Sequence, residues 1–218
     1  GVSMGFLLQQ RLHDRRRLFL KRSIDLIFCA LGAVLVVPVS LVLALAIRLD
    51  SRGPILYRQK RVGQGGREIM VHKFRTMARD ADVILEKYLA DNPDARDEWE
   101  RDHKLRRDPR ITRVGRFLRH TSLDELPQLI DVLAGNMSIV GPRPIVNEEI
   151  SKYGPVYSDY ILVKPGITGL WQVSGRNDTS YEERVAYDFY YINNWSIWMD
   201  IWILCRTVPV VILGRGAY

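Results

Sequence analysis

The chain has 218 residues, 47% of them hydrophobic, enough for one globular domain with a core of its own and short for two. Its formal net charge of +7 favours anionic partners, and nucleic acid, anionic lipid and nucleotide substrates all meet that requirement, so charge alone does not choose among them. Cys29 and Cys205 stand in apolar stretches with no CxxC spacing, and His13, His72, His103 and His120 are scattered. This pattern excludes a Cys/His metal cluster and reads as two buried thiols.

The chain opens at Gly1 rather than Met, as expected of a piece whose upstream part is missing. From Leu26 to Ile47 there are 22 consecutive residues without a charge. At about 1.5 Å per residue, a helix of that length matches the roughly 30 Å hydrocarbon core of a bilayer. It is long for a signal peptide, and no small-residue cleavage site precedes the next charges. Arg11, Arg15, Arg16, Arg17, Lys21 and Arg22 stand before it, and Arg48, Arg52, Arg58, Lys60 and Arg61 after it. Short flanks rich in Lys and Arg favour the cytoplasmic side, so both ends ask for the same face. Pro38, near the middle, removes a backbone donor and clashes with the carbonyl four residues back, and Ser40 offers a hydroxyl to the freed groups. The expectation is a re-entrant membrane helix that bends near Pro38, within a basic lead over residues 1–53. A single kinked span is the alternative.

Residues 54–218 read as the globular unit. Residues 55–62 and 69–77 flank the turn-rich GQGGR and predict a hairpin. Residues 81–105 are charged, acidic overall and helical in pattern, interrupted at Asn92-Pro93 and closed by Asp108-Pro109; this is a solvated helical excursion. Arg113, Arg116 and Arg119, with Val114, Phe117 and Leu118 among them, predict a short amphipathic helix with a basic face. The stretch TSLDELPQLIDVLAG places Leu126, Leu129, Ile130 and Leu133 at helical spacing and predicts one helix with one buried stripe, ending at Gly135. KPGITGLWQVSGRND (164–178) reads as a loop, and Tyr181 to Tyr191 as a helix. Trp195, Trp198 and Trp202 then fall on one face of a last helix, which is either core or an in-plane interfacial helix. The fold class expected is α/β, mostly helical, a small membrane-associated domain with amphipathic interfacial helices.

The chemistry concentrates in Arg119-His-Thr-Ser-Leu-Asp124-Glu125-Leu-Pro and in Gly141-Pro142-Arg143-Pro144. Ser122 and Glu125 form an S-x-x-E capping box, a purely structural reading of the adjacent carboxylates. A helix start is also an anion site, where backbone donors and Arg side chains could hold a diphosphate. Arg143 between two prolines suits a guanidinium that presents a fixed fork to phosphate, or a plain structural turn.

Taken together, KRSIDLI (21–27), KFRTM (73–77), TSLDELPQL (121–129), SIVGPRPI (138–145) and KPGITGLWQVSGRN (164–177) resemble the bacterial sugar transferases, the monotopic phosphoglycosyl transferases, over nearly the whole chain. The likeness is greatest to the catalytic part of the undecaprenyl-phosphate galactose phosphotransferases, whose ending is similar to Gly216-Ala217-Tyr218. One departure is Val37 before Pro38, where the family commonly carries Ser. The resemblance implies a cytoplasmic-face catalytic domain over 54–218, at the bacterial inner membrane, that transfers a hexose 1-phosphate from a UDP-sugar to undecaprenyl phosphate and releases UMP. This would be a first membrane step of O-antigen, capsule or exopolysaccharide synthesis. It implies Asp124 as the nucleophile on the β-phosphorus, Glu125 as a ligand of Mg²⁺, and Arg75, Arg119 and Arg143 as phosphate-binding residues. Cations suit that chemistry, because a carboxylate approaching a diphosphate is repelled. Galactose is favoured; glucose and an N-acetylated amino sugar remain open, as does a homodimer. The rivals from other classes are a basic nucleic-acid module, for which no motif is present, and a non-catalytic membrane scaffold.

Overall fold

The structure, a computed structural model, describes residues 15–102, 105–175 and 179–212. Arg11 of the basic lead, residues 176–178 of the last motif and the ending Gly216-Ala217-Tyr218 lie outside the described residues.

Helix α1 (Arg15–Asp50) contains the whole uncharged run and remains helical on both sides of Pro38. Both of its ends are tied to the globular part. Near its start the Arg22 guanidinium donates to the carbonyls of Val132 (2.6 Å) and Leu133 (3.0 Å). Asp25 accepts from the Ile139 N–H and the Ser138 hydroxyl, each at 3.0 Å. Near its end Leu43 and Ile47 join a core cluster with Phe74 and Leu118, and Asp50 accepts from the Val114 N–H at 3.1 Å. A helix leaving the domain along a membrane normal would carry one end roughly 30 Å away. Here the helix lies along the domain, with Val34, Leu35, Leu41 and Val42 exposed on its uncovered side.

Strands β1 (Leu56–Val62) and β2 (Glu68–Phe74) form the expected antiparallel hairpin, in register from Leu56 opposite Phe74 to Val62 opposite Glu68. Gly65 and Gly66 supply positive φ at the turn (74° and 71°), which explains the glycines of GQGGR. Helices α2 (Ala81–Asp91) and α3 (Pro93–Asp102) make the helical excursion, with the break at Asn92. Helix α4 (Arg113–Thr121) follows as predicted, its Leu118 fully buried and its Arg113 and Arg116 in solvent.

Beyond α4 the structure corrects the sequence reading. TSLDELPQLIDVLAG is not one helix but a 3-10 turn (Leu123–Glu125) and a short helix α5 (Gln128–Leu133). The expected apolar stripe is partly reversed: Ile130 and Leu133 are exposed, while Gln128, Asp131 and Val132 are buried. The reason is polar, since both Asp131 oxygens serve His72, one accepting its backbone N–H (2.8 Å) and one facing its Nδ1 (2.7 Å). The 164–178 stretch is also more than a loop. It holds strand β4 (Gly166–Thr168), paired in parallel with β3 (Ser138–Val140), and helix α8 (Leu170–Ser174). A side chain on Gly141 or Gly166 would collide with the backbone of the other. These glycines therefore let the GPRP segment and the KPGITG segment lie against each other.

Short helices α6 (Ile150–Tyr153) and α7 (Tyr157–Tyr160) lead into β4, and α9 (Tyr181–Asn194) starts on a Ser180/Glu183 capping box. The last helix, α10 (Ile197–Ile212), exposes Trp198 and Trp202. Trp195 does not share that face: it precedes α10 and is buried, donating its indole N–H to Asp200 at 3.1 Å. Asp200 also accepts from Tyr191 (2.7 Å) and pairs with Lys21 of α1 (2.8 Å). Of the two thiols, Cys29 is buried as expected and Cys205 is exposed.

Candidate active site

The two carboxylates of the DELP motif are placed from upstream. Gly115 lets α4 press against the Thr76 backbone, where any side chain would collide, and the Thr112 hydroxyl caps the helix by accepting from the Gly115 N–H at 3.0 Å. From that helix Arg119 Nε donates to the Thr76 hydroxyl at 2.9 Å. Ser122 ends α4 in the left-handed region, φ 55°, alone among described non-glycine residues. Such backbone is sparsely populated outside glycine, and it swings the chain into the 3-10 turn. The Ser122–Glu125 capping box does not form: Ser122 makes no side-chain cap, and Glu125 turns to Lys73, whose Nζ lies 2.6 Å from Oε1. Successive side chains of a 3-10 turn diverge by about 120°, so Asp124 and Glu125 do not share a face.

Their electrostatics differ accordingly. Burial raises the Asp124 carboxyl to about 6, and the Glu125 charge adds to the rise against the opposing charges of Lys73 and Arg119. Burial also acts upward on Glu125, but Lys73, Arg143 and Arg61 outweigh it and hold this carboxyl below its usual range. One member of the pair is thus firmly anionic, and the other is poised near the edge of neutrality.

Glu125 lines a cleft together with Lys73, Arg61, Arg143, Gln128 and Gln172. Arg143 is held on several sides. Its carbonyl accepts from the Tyr160 hydroxyl at 3.1 Å, and its guanidinium carbon lies 5.7 Å from the centre of the Trp171 ring. Asp188, fully buried beneath, accepts from the Tyr153 hydroxyl at 2.7 Å. Burial pushes the Asp188 carboxyl up to about 7, against the Tyr153 hydrogen bond and the Arg143 backbone N–H, which favour its charged form.

Of the residues expected from sequence, the structure brings Glu125 and Arg143 to one cleft and puts Asp124 and Arg119 on the adjoining turn and helix. Arg75 is not brought there. Its guanidinium donates to the Ser51 carbonyl (2.7 Å), the Ser51 hydroxyl (2.9 Å) and the Arg52 carbonyl (2.8 Å), closing the exit from α1. Lys73 and Arg61 escaped the sequence reading, although Lys73 opens the KFRTM block and strand alternation sets it beside Val71 on the cleft side of β2.

No group of three or more His, Cys, Asp or Glu side chains suited to a metal occurs among the described residues. Mg²⁺ bound with nucleotides takes one or two carboxylates completed by phosphate oxygens and waters. Glu125, on the cleft wall with Oε1 engaged by Lys73, is the carboxylate that could contribute to such a set.

Comparison with known proteins identifies the family. A model of the family described as bacterial sugar transferase matches residues 16–214. Undecaprenyl-phosphate galactose phosphotransferase of Salmonella typhimurium is 47% identical over 211 residues, covering 97% of this chain and 44% of that protein. UDP-glucose:undecaprenyl-phosphate glucose-1-phosphate transferase of Escherichia coli is 41% identical over 208 residues, covering 91% of this chain and 41% of that protein. Exopolysaccharide production protein ExoY of Rhizobium meliloti is 44% identical over 198 residues, covering 91% of this chain and 88% of that protein. The chain spans less than half of the first two relatives and most of the third. Matched from α1 to the end of α10, it belongs to the bacterial sugar transferase family.

Proposed function

We propose that this chain transfers a hexose 1-phosphate, galactose 1-phosphate first among the candidates, from a UDP-hexose to undecaprenyl phosphate. The observation that carries this reading is the unequal carboxylate pair: Asp124 is raised to about 6 and beside it Glu125 is held anionic by Lys73, with Arg119, Arg143 and Arg61 nearby. At neutral pH the Asp124 carboxylate is mostly ionised and weakly solvated, the state a nucleophile needs. Its oxygen attacks the β-phosphorus, the bond from that phosphorus to the bridging oxygen breaks, and UMP departs. The phosphosugar is left as a mixed anhydride on Asp124. An oxygen of the polyprenyl phosphate then attacks the same phosphorus and the Asp124 carboxylate leaves. No general base is required, because the acceptor, a phosphate monoester with a second pKa near 6, is already largely ionised.

The cationic side chains screen the approach of one anion to another, which is where most of the rate enhancement in phosphoryl transfer arises. Arg143 presents a rigid fork, and Arg119 lies on the Asp124 side. Glu125 would hold Mg²⁺ with the diphosphate; when bound, the ion supplies Lewis-acid neutralisation of charge on the phosphate oxygens.

The membrane reading follows from α1. Both ends of its uncharged run are fastened to the same domain, which favours a re-entrant helix with both ends at the cytoplasmic face of the inner membrane. UDP-sugar and the carrier headgroup would meet there. The relatives differ in the sugar they are named for, galactose or glucose, so a panel of UDP-sugars assayed for UMP release with undecaprenyl phosphate tests the reading. Transfer of labelled sugar phosphate to the chain in the absence of acceptor, lost in Asp124→Asn, is the expected companion result. A chain that releases no UMP from any UDP-sugar is a scaffold instead.

A further inference from the structure

Two glutamines on the cleft are unexplained by phosphate chemistry. Gln128, at the start of α5, is only 2% exposed and lines the cleft. Gln172, on α8, donates from Nε2 to the Ile167 carbonyl at 3.2 Å, which leaves Oε1 buried and unpartnered. An unsatisfied buried polar atom is costly, and Leu or Met would fill the Gln172 space without that cost. The unpartnered Gln172 Oε1 calls for a ligand donor, and the buried Gln128 amide lining the same cleft can bond a second group.

The cleft also selects which part of a nucleotide sugar it takes. Its lining sets three cations, Arg61, Lys73 and Arg143, beside the two amides, so the part it takes is the one next to phosphate. The group attached to the β-phosphate is the hexose, whereas the uracil is separated from it by the α-phosphate and a ribose. A hexose is a ring of hydroxyls, each able to donate and accept, over a C–H surface. Val71, Pro144 and Ile167 give the cleft an apolar side to match that surface.

We propose that Gln128 and Gln172 form the hexose subsite, with Gln172 Oε1 accepting from one sugar hydroxyl and the Gln128 amide bonding a second. This assignment rests on the function proposed above and adds the residues that read the sugar. Arg61, Lys73 and Arg143 hold the phosphates, and the two neutral amides discriminate among hydroxyl arrangements without adding charge.

The test uses the full chain in detergent or liposomes with undecaprenyl phosphate, comparing the parent with Gln172→Met and Gln128→Leu. UMP release from UDP-galactose and UDP-glucose gives KM and kcat for each sugar, and inhibition by UMP reports nucleotide binding without a hexose. Each substitution should raise KM for the preferred UDP-hexose about tenfold and shrink the preference between the two C4 epimers, as expected for one lost neutral hydrogen bond. The UMP inhibition constant should not move. Weakening of UMP inhibition in parallel would assign the amides to the nucleotide and overturn the proposal. Equal loss of kcat on both sugars at unchanged preference would overturn it too, as would kinetics matching the parent. Should Gln128→Leu fail to fold, Gln172→Met carries the test, with Gln128→Asn giving the same change in preference at Gln128. A parent that releases no UMP from any UDP-sugar removes the function proposed above and the subsite with it, a result distinct from active variants that keep the parent preference.

Discussion

Glu125 and Lys73 meet at 2.6 Å, while Asp124, one residue earlier on the same turn, forms no ion pair among the described residues. One ammonium therefore fixes the charge of one carboxylate and only biases the other. Lys73 acts downward on both carboxyls, so Lys73→Met should raise both and leave two adjacent like charges screened by the arginines alone. We expect activity at neutral pH to fall on the order of 10²-fold and the acidic limb of kcat/KM, near 6 in the parent, to move to higher pH. An acidic limb that stays in place in Lys73→Met would show that Asp124 is not the group titrating.

Asp124→Asn should abolish transfer and yet leave the protein at least as stable. The folded-state pKa of Asp124 is raised, so between its ordinary value and about 6 the folded chain binds more protons than the unfolded one. Ionising Asp124 thus destabilises the fold as pH rises through that window. Asn avoids this, and the melting temperature of Asp124→Asn should exceed that of the parent by on the order of 1–3 °C at pH 7.5, with the difference vanishing near pH 4. Thermal scans at the two pH values decide the matter, and a variant less stable at pH 7.5 contradicts it.

Arg143→Lys keeps the charge but loses the fork and its contact with Trp171. A drop in kcat/KM of about 10²-fold is expected, with far-UV circular dichroism and melting unchanged, because the anchoring of residue 143 runs through its backbone. Kinetics equal to the parent would return Arg143 to a structural turn.

Lys21→Met removes the partner of a buried carboxylate. Asp200 keeps the Tyr191 and Trp195 donors but no cation, a change that costs about 3–5 kcal/mol when a buried pair is broken from one side. In a background lacking Cys29 and Cys205, a cysteine in place of Leu18 should resist an impermeant thiol reagent in intact spheroplasts. With Lys21→Met added, a fraction should react from outside as the start of α1 comes loose from the domain. Labelling of the parent itself would establish a true span.

The hairpin was legible because its strands are long enough to show a pattern and its turn demands glycine at positive φ. The uncharged run was legible from length alone. Strands β3 and β4 were not, since three residues carry no periodicity and a parallel pair joins segments far apart in sequence. The DELP stretch misled for a physical reason: its leucines keep helical spacing, yet the left-handed Ser122 breaks the helix upstream, and the burial of Asp131 reflects its partner His72 outside the segment. Of the candidate site, Asp124, Glu125, Arg119 and Arg143 were named through motif resemblance, and the structure brings Glu125 and Arg143 to one cleft. Lys73 was hidden among other basic residues, and Arg75 looked the same as they do until its guanidinium was seen on the Ser51 and Arg52 carbonyls.

The Lys21–Asp200 pair joins residues 179 positions apart. At about 5–20 residues per second, a ribosome makes Asp200 on the order of ten seconds or more after Lys21 has emerged. Throughout that interval the start of α1 has no docking partner on α10, and its ties to the domain run through Arg22 to the Val132 and Leu133 carbonyls and through Asp25 to Ser138 and Ile139. Docking of α1 is thus completed in stages, first against α5 and β3 and only later against α10, which ties the packing of this helix to the order of synthesis.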